Sequence, residues 1–152
     1  MRRASRYTGG MTSLTPEQSA FLAANHAAAM ITVENGVAKA VRVAIALVDG
    51  KLWSSGNAER VRTTRLRKDA RCTLYVHDAG YKFLSIESTV RLIEGPEVPE
   101  LTLHLFRVMQ NRPEGNIAWF GQDITPEAFL ASMAADKRLI YEFEITRAYG
   151  MV

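Results

Sequence analysis

Two dipeptides, Asn35-Gly36 and Asp49-Gly50, constrain this chain more than any other feature. Each sits between apolar runs rich in β-branched residues, and Asn-Gly and Asp-Gly suit the positive φ angles of a two-residue hairpin turn. Ala28 to Val33, Val37 to Val48 and Lys51 to Ser55 are therefore expected as three consecutive antiparallel strands. Cys72 to His77 and Lys82 to Ile93 read as two more, linked through Asp78-Ala79-Gly80. Arg138 to Arg147 reads as a last strand, with Leu139, Tyr141, Phe143 and Ile145 on one side and Glu142, Glu144 and Thr146 on the other.

Alternation sharpens the second of these strands. Val41, Val43, Ile45 and Leu47 fall on one face, and Ala38, Ala40, Arg42, Ala44 and Ala46 on the other. A bare face with one arginine suits a flat, partly anionic ligand, and equally a covering helix or a second subunit. In the strand ending at Ile93, Leu84, Ile86, Val90 and Leu92 oppose a polar face carrying Glu87 and Arg91.

Helices are marked by their starts. Thr15-Pro16-Glu17-Gln18 combines a cap, a proline at the first helical position and a glutamine that reaches back, which predicts a helix ending near His26. Leu101, Leu105 and Val108 recur at helical spacing, and Thr125-Pro126-Glu127 starts a helix through Met133. Between them, Asn111 to Gly121 reads as a loop whose Trp119 and Phe120 either cover a site or anchor the segment. A meander of strands with helices at its ends points to a mainly β fold with flanking helices, an antiparallel barrel. At 152 residues and 47% hydrophobic, one domain over residues 14–152 is expected, with residues 1–13 as a disordered basic tail.

Function is first suggested between Ser54 and Arg71. Arg60, Arg62, Arg65, Arg67, Lys68 and Arg71 crowd there against only Glu59 and Asp69. Arg60 to Lys68 suits a short exposed helix whose first turn offers unpaired N–H groups beside Ser55, Thr63, Thr64 and two guanidinium forks. That is either a phosphate cradle or a solvated basic face. A net charge of +3, with no aromatics interleaved among the basic residues, argues against nucleic acid. No apolar run approaches the ~20 residues of a membrane helix. The single Cys72 excludes an internal disulfide and fits a reducing cytosol.

No self-sufficient catalytic set is present. His26, His77 and His104 are dispersed, no metal-ligand spacing occurs, and Ser88 stands outside any nucleophile motif. His26 reads as a residue complementing a helix end, and His77 has no evident partner. Chemistry on such a chain has to be borrowed from a positioned cofactor, redox chemistry being the natural case.

The run A-E-R-V-R-T-T-R-L-R-K-D-A-R from Ala58, the strand Y-K-F-L-S-I-E-S-T-V-R-L from Tyr81, the Ala28 to Gly36 hairpin entry and the ending R-L-I-Y-E-F-E-I-T-R-A-Y-G resemble one family. It is the pyridoxamine-phosphate-oxidase-like split β-barrels, in the flavin and deazaflavin oxidoreductase branch B of actinobacteria, and the likeness runs from Leu14 to Gly150. The resemblance implies a split antiparallel β-barrel, a homodimer with interfacial cofactor sites, and coenzyme F-420 or FMN as cofactor. It implies cofactor-phosphate contacts at Arg60, Arg62 and Thr63, with Arg62 standing where relatives often carry lysine. Arg42, Val43, Ser54 and Ser55 would lie beside the cofactor ring, Tyr81 would reach across from the partner, and Lys39 is a weaker candidate for the ring or tail. The implied activity is hydride transfer to a small conjugated organic molecule, with a protein that binds F-420 or FMN without turnover as the rival, and the basic surplus from Arg60 to Arg71 favours the more anionic F-420.

Overall fold

The computed structural model describes residues 13–152; the tail expected over residues 1–13 lies, apart from Ser13, outside the described residues. Its elements are α1 (Pro16–Ala24), β1 (Ala27–Glu34), β2 (Val37–Ala44), β3 (Ala46–Val48), β4 (Lys51–Asn57), α2 (Val61–Lys68), β5 (Arg71–His77), β6 (Phe83–Ile93), α3 (Val98–Gln110), β7 (Ile117–Trp119), β8 (Gln122–Ile124), α4 (Pro126–Ala135) and β9 (Arg138–Met151).

The strand expected from Val37 to Val48 is two strands. β2 pairs with β1 and β3 pairs with β4, and the sheet order is β2-β1-β5-β6-β9-β4-β3. Only Ile45 separates β2 from β3, so the two ends of this order are one continuous piece of chain and the sheet closes on itself. Alternation could not show the break, because Val41, Val43, Ile45 and Leu47 keep one face throughout.

Two contacts fix the closure. Ile45 N–H donates to His26 O at 2.7 Å, and His26 Nδ1 donates back to Ile45 O at 3.0 Å. Ser54 Oγ donates to Ala44 O at 2.7 Å. The expected helix-end role of His26 is therefore corrected: α1 stops at Ala24, and the imidazole instead satisfies the carbonyl left bare where the strand changes partners.

Inside the closed sheet lie Met30, Val43, Ile45, Leu74, Val76, Leu84, Ile86, Tyr141 and Phe143 with Leu22 of α1 and Leu66 of α2. A second cluster forms outside it, where α3 covers Ala46, Val48, Trp53 and Ile140. The small face of β3 thus packs under a helix, whereas Ala40, Arg42 and Ala44 of β2 stay exposed. Val108, counted with the apolar face of α3, is exposed instead.

The expected loop from Asn111 to Gly121 contains half of a hairpin, β7–β8. Trp119 packs edge-on against Phe106 and Phe129, with centroids 5.5 and 5.8 Å away. Gln110 holds the hairpin in register by exchanging two hydrogen bonds, each 2.9 Å, with the backbone of Ala118. Trp119 is an anchor. His77 also gains a partner, its Nδ1 donating to Asp78 O at 2.7 Å.

Candidate functional site

Thr63 fixes the start of α2. Its hydroxyl, fully buried, donates to Asn57 O at 2.7 Å and accepts from the Tyr141 hydroxyl in a short hydrogen bond. Asn57 in turn donates to Asp136 O at 2.6 Å and accepts from Glu59 N–H at 2.7 Å. The last residue of β4, the first turn of α2 and the strand β9 are thereby locked together. Gly56 makes this possible, since a Cβ there would meet the Tyr141 ring and stand 2.7 Å from its hydroxyl oxygen.

Arg60 caps α2 in extended conformation and makes no side-chain cap. Thr63 and Thr64 N–H both bond Arg60 O, at 3.0 and 3.2 Å, which leaves the amides of Val61 and Arg62 as the open donors of the first turn. Arg62 lies with its guanidinium carbon 5.9 Å from the Tyr141 ring centroid, and its Nε is buried with no hydrogen-bond partner among the described residues.

The basic run sorts into two sets. Arg65 pairs with Glu34 at 3.1 Å, Arg67 with Glu94 at 2.8 Å and Arg71 with Asp69 at 2.8 Å. These arginines hold the carboxyls of Glu34, Glu94 and Asp69 below their ordinary range, Asp69 to about 2. Among the described residues Arg60, Arg62 and Lys68 make no ion pair. The cationic surplus inferred from the whole run is therefore about halved.

Of the ring-side candidates, Val43 and Ser54 turn their side chains into the barrel and leave only backbone to a ligand. Ser55 accepts from Arg138 Nη1 at 3.3 Å, and Arg138 is held by Asp136 at 2.7 Å and by the Trp119 ring at 5.1 Å. Arg138 had no sequence signal toward the site, because only Asp136 is its neighbour in the chain, while Ser55 and Trp119 lie 83 and 19 positions away. Arg42 stands exposed beside a cavity of about 550 Å³ walled by Ala27, Ala29, Ala40, Tyr75 and His77; of the small face expected from the sequence only Ala40 and Arg42 line it, the other alanines coming from β1.

Two further candidates remain. Lys39 lies by Glu34, whose carboxyl it helps to lower behind the hydrogen bond from Arg65. Tyr81, exposed in the turn after β5, is divided from α2 by the whole of that strand, about 20 Å at ~3.3 Å per residue.

Alternation puts Glu142 on the polar side of the last strand, but does not show its burial. Glu142, on the polar side of β9, is only 7% exposed. It accepts from Trp53 Nε1 at 2.9 Å and from Arg91 Nη2 at 3.0 Å. Burial alone would raise its pKa, but these donors outweigh that and leave it lowered. It borders a second cavity of about 560 Å³ at the start of β4, lined also by Lys51, Leu52, Arg91 and Glu144. Among the described residues no cluster of metal-ligating side chains occurs, and no helix is long and apolar enough to cross a membrane.

No protein-family model matches the chain, and no curated protein matches its sequence. Solved structures do. The chain is similar to a conserved hypothetical protein of Mycobacterium tuberculosis at 18% identity and TM-score 0.69, over 99% of this chain and 89% of that one. It is similar to an F420 reductase at 15% identity and TM-score 0.66, over 90% and 98%. A protein of Listeria innocua, provisionally assigned as a pyridoxamine 5'-phosphate oxidase, matches at 14% identity and TM-score 0.60, over 86% and 92%. At such identities the likeness is one of fold, and with the closed sheet it shows a split antiparallel β-barrel of the pyridoxamine-phosphate-oxidase type.

Proposed function

We propose that this split barrel is an oxidoreductase that binds coenzyme F-420 and passes a hydride to a small conjugated organic substrate, as a cytoplasmic homodimer with its cofactor sites at the subunit interface. The observation that carries the reading is the buried Nε of Arg62 without an acceptor, at a helix start whose first two amides are also open. A buried donor left unpaired is costly, and a phosphate oxygen supplies the acceptor that all three lack. The residues present therefore fit a phosphorylated cofactor.

When bound, the cofactor supplies the hydride chemistry that this chain's side chains lack. The protein's part is to hold, orient and exclude water. Arg60, Arg62 and the Val61 and Arg62 amides would hold the phosphate, with Thr63 and Tyr141 fixing the helix start beneath them. Ser55, steadied by Arg138, and the backbone of Val43 and Ser54 offer polar contacts to the ring. Arg42 and Ala40 would give a flat wall, Lys39 would serve the ring or the tail, and Tyr81, a strand length away within one chain, would enter from the partner subunit. Orientation of this kind accounts for about 7 to 11 kcal/mol of a barrier without an acid or base from the protein.

FMN is the second reading, and one observation favours it. With Arg65, Arg67 and Arg71 engaged by Glu34, Glu94 and Asp69, Arg60, Arg62 and Lys68 are what the basic run leaves for an anion, enough for one phosphate and few for a polyanionic tail. The deciding experiment titrates cofactor-free protein with F-420 and with FMN at two salt concentrations, following quenching of Trp53 and Trp119. Tight, salt-sensitive binding of F-420 over FMN supports the first reading and the reverse order supports the second. Binding of neither leaves α2 a solvated basic face.

A further inference from the structure

Three two-residue turns of this protein share one backbone conformation. Asn35-Gly36, Asp49-Gly50 and Phe120-Gly121 have first-residue φ angles of 52°, 52° and 50°, and second-residue angles of 77°, 81° and 78°. Asn and Asp tolerate the left-handed region through local hydrogen bonding, whereas a bulky aromatic there is strained. The third turn nevertheless carries phenylalanine, and its ring is 85% exposed.

The strain has little return inside the fold. Phe120 touches the Trp119 ring edge-on, at a centroid distance of 4.4 Å, and fills no core. Everything beneath it is fixed: Trp119 against Phe106 and Phe129, Ala118 on Gln110, and Arg112 on Asp123 at 3.0 Å. A rigid hairpin thus holds one strained aromatic ring out in solvent. From Trp119 the path runs to Arg138 at 5.1 Å and from Arg138 to Ser55 at 3.3 Å, so two ring contacts and one hydrogen bond join Phe120 to the ring-side candidate on β4.

Strain kept at an exposed position is characteristic of a binding contact rather than of folding. We propose that Phe120 is a specificity-determining residue whose ring stacks on a flat, conjugated ligand and favours it over a saturated one of equal size. The inference rests on the functional reading above, since it takes Ser55 to lie at the cofactor site. Offset or edge-to-face stacking supplies the preference for flat ligands, which burial of area alone does not.

The test compares wild type with Phe120→Asn and Phe120→Tyr, using 2-naphthol as flat probe and its saturated counterpart 2-decalol, with cofactor-loaded protein and calorimetric titration. Phe120→Asn is expected to raise the melting temperature by roughly 2 to 4 °C, because asparagine relaxes the turn. It should weaken 2-naphthol about tenfold while leaving 2-decalol and cofactor affinity unchanged, and Phe120→Tyr should keep the wild-type preference. A melting gain coupled to a loss of flat-ligand binding is not expected of a residue with only a structural role. Unchanged 2-naphthol affinity with normal cofactor binding overturns this inference alone. Loss of a dimer on Phe120→Asn overturns it too, assigning the ring to a subunit contact, and failure of the wild type to bind either cofactor overturns both readings.

Discussion

Trp53 donates its indole N–H to Glu142 across the β4–β9 pair at 2.9 Å, and Arg91 on the other neighbour of β9 bonds the second carboxylate oxygen. A carboxylate 7% exposed is thereby kept ionised on the face that α3 covers.

The sign of its pH dependence follows. Glu142 has a folded pKa below its ordinary value, so its contribution is fully present above about 4.3 and is lost as the pH falls through the folded value. Urea midpoints measured from pH 7 down to 3 should fall less steeply for Glu142→Gln than for wild type. At pH 7 the variant should be destabilised by about 1 to 3 kcal/mol, the range for disturbing a buried, charge-assisted hydrogen bond.

Gly56→Ala should be among the more damaging single-methyl changes in the barrel. The new Cβ would press on the Tyr141 ring, 2.7 Å from its hydroxyl oxygen, and break the lock between Tyr141 and Thr63. Overpacking of this kind costs about 1 to 3 kcal/mol, to be read as a lower urea midpoint. A companion Tyr141→Phe should recover little, because the ring remains in place.

The arginines of the run from Arg60 to Arg71 should separate by function. Arg62→Ala and Arg60→Ala are each expected to weaken cofactor binding about tenfold or more, the effect of one charge-assisted hydrogen bond. Arg67→Ala and Arg71→Ala should leave it within about twofold, since those guanidinium groups are paired with Glu94 and Asp69. Equal losses from all four would mean a diffuse electrostatic effect rather than a cradle at the helix start.

Cys72 should be inert in the native protein. Burial pushes its thiol up to about 12 against an opposing backbone hydrogen bond from Ile31, so almost no thiolate exists at pH 8. Labelling by a disulfide reagent should follow unfolding in denaturant, and rapid labelling of the folded protein would contradict the burial.

Some of this was legible in the chain because it depends on neighbours in sequence. Asn35-Gly36 and Asp49-Gly50 turn where they do since few other residues accept those φ angles, and the Thr15 and Thr125 caps start their helices with the side-chain bonds expected of them. The small, bare face of β2 was visible for the same reason, as alternation follows from backbone geometry.

What the sequence by itself determined was most of the strands and helices, the β7–β8 hairpin excepted, with their facing residues and the crowding of basic charge after β4. Only the tertiary structure decided that β2 and β3 part at Ile45 to close the barrel, that Glu142 is buried, and which arginines are engaged. Closure brings together groups such as Arg138 and Ser55, 83 positions apart, or Arg65 and Glu34, 31 apart. Local pattern carries charge and periodicity, but an ion pair needs two groups within a few ångströms, and that distance is set by how the sheet closes.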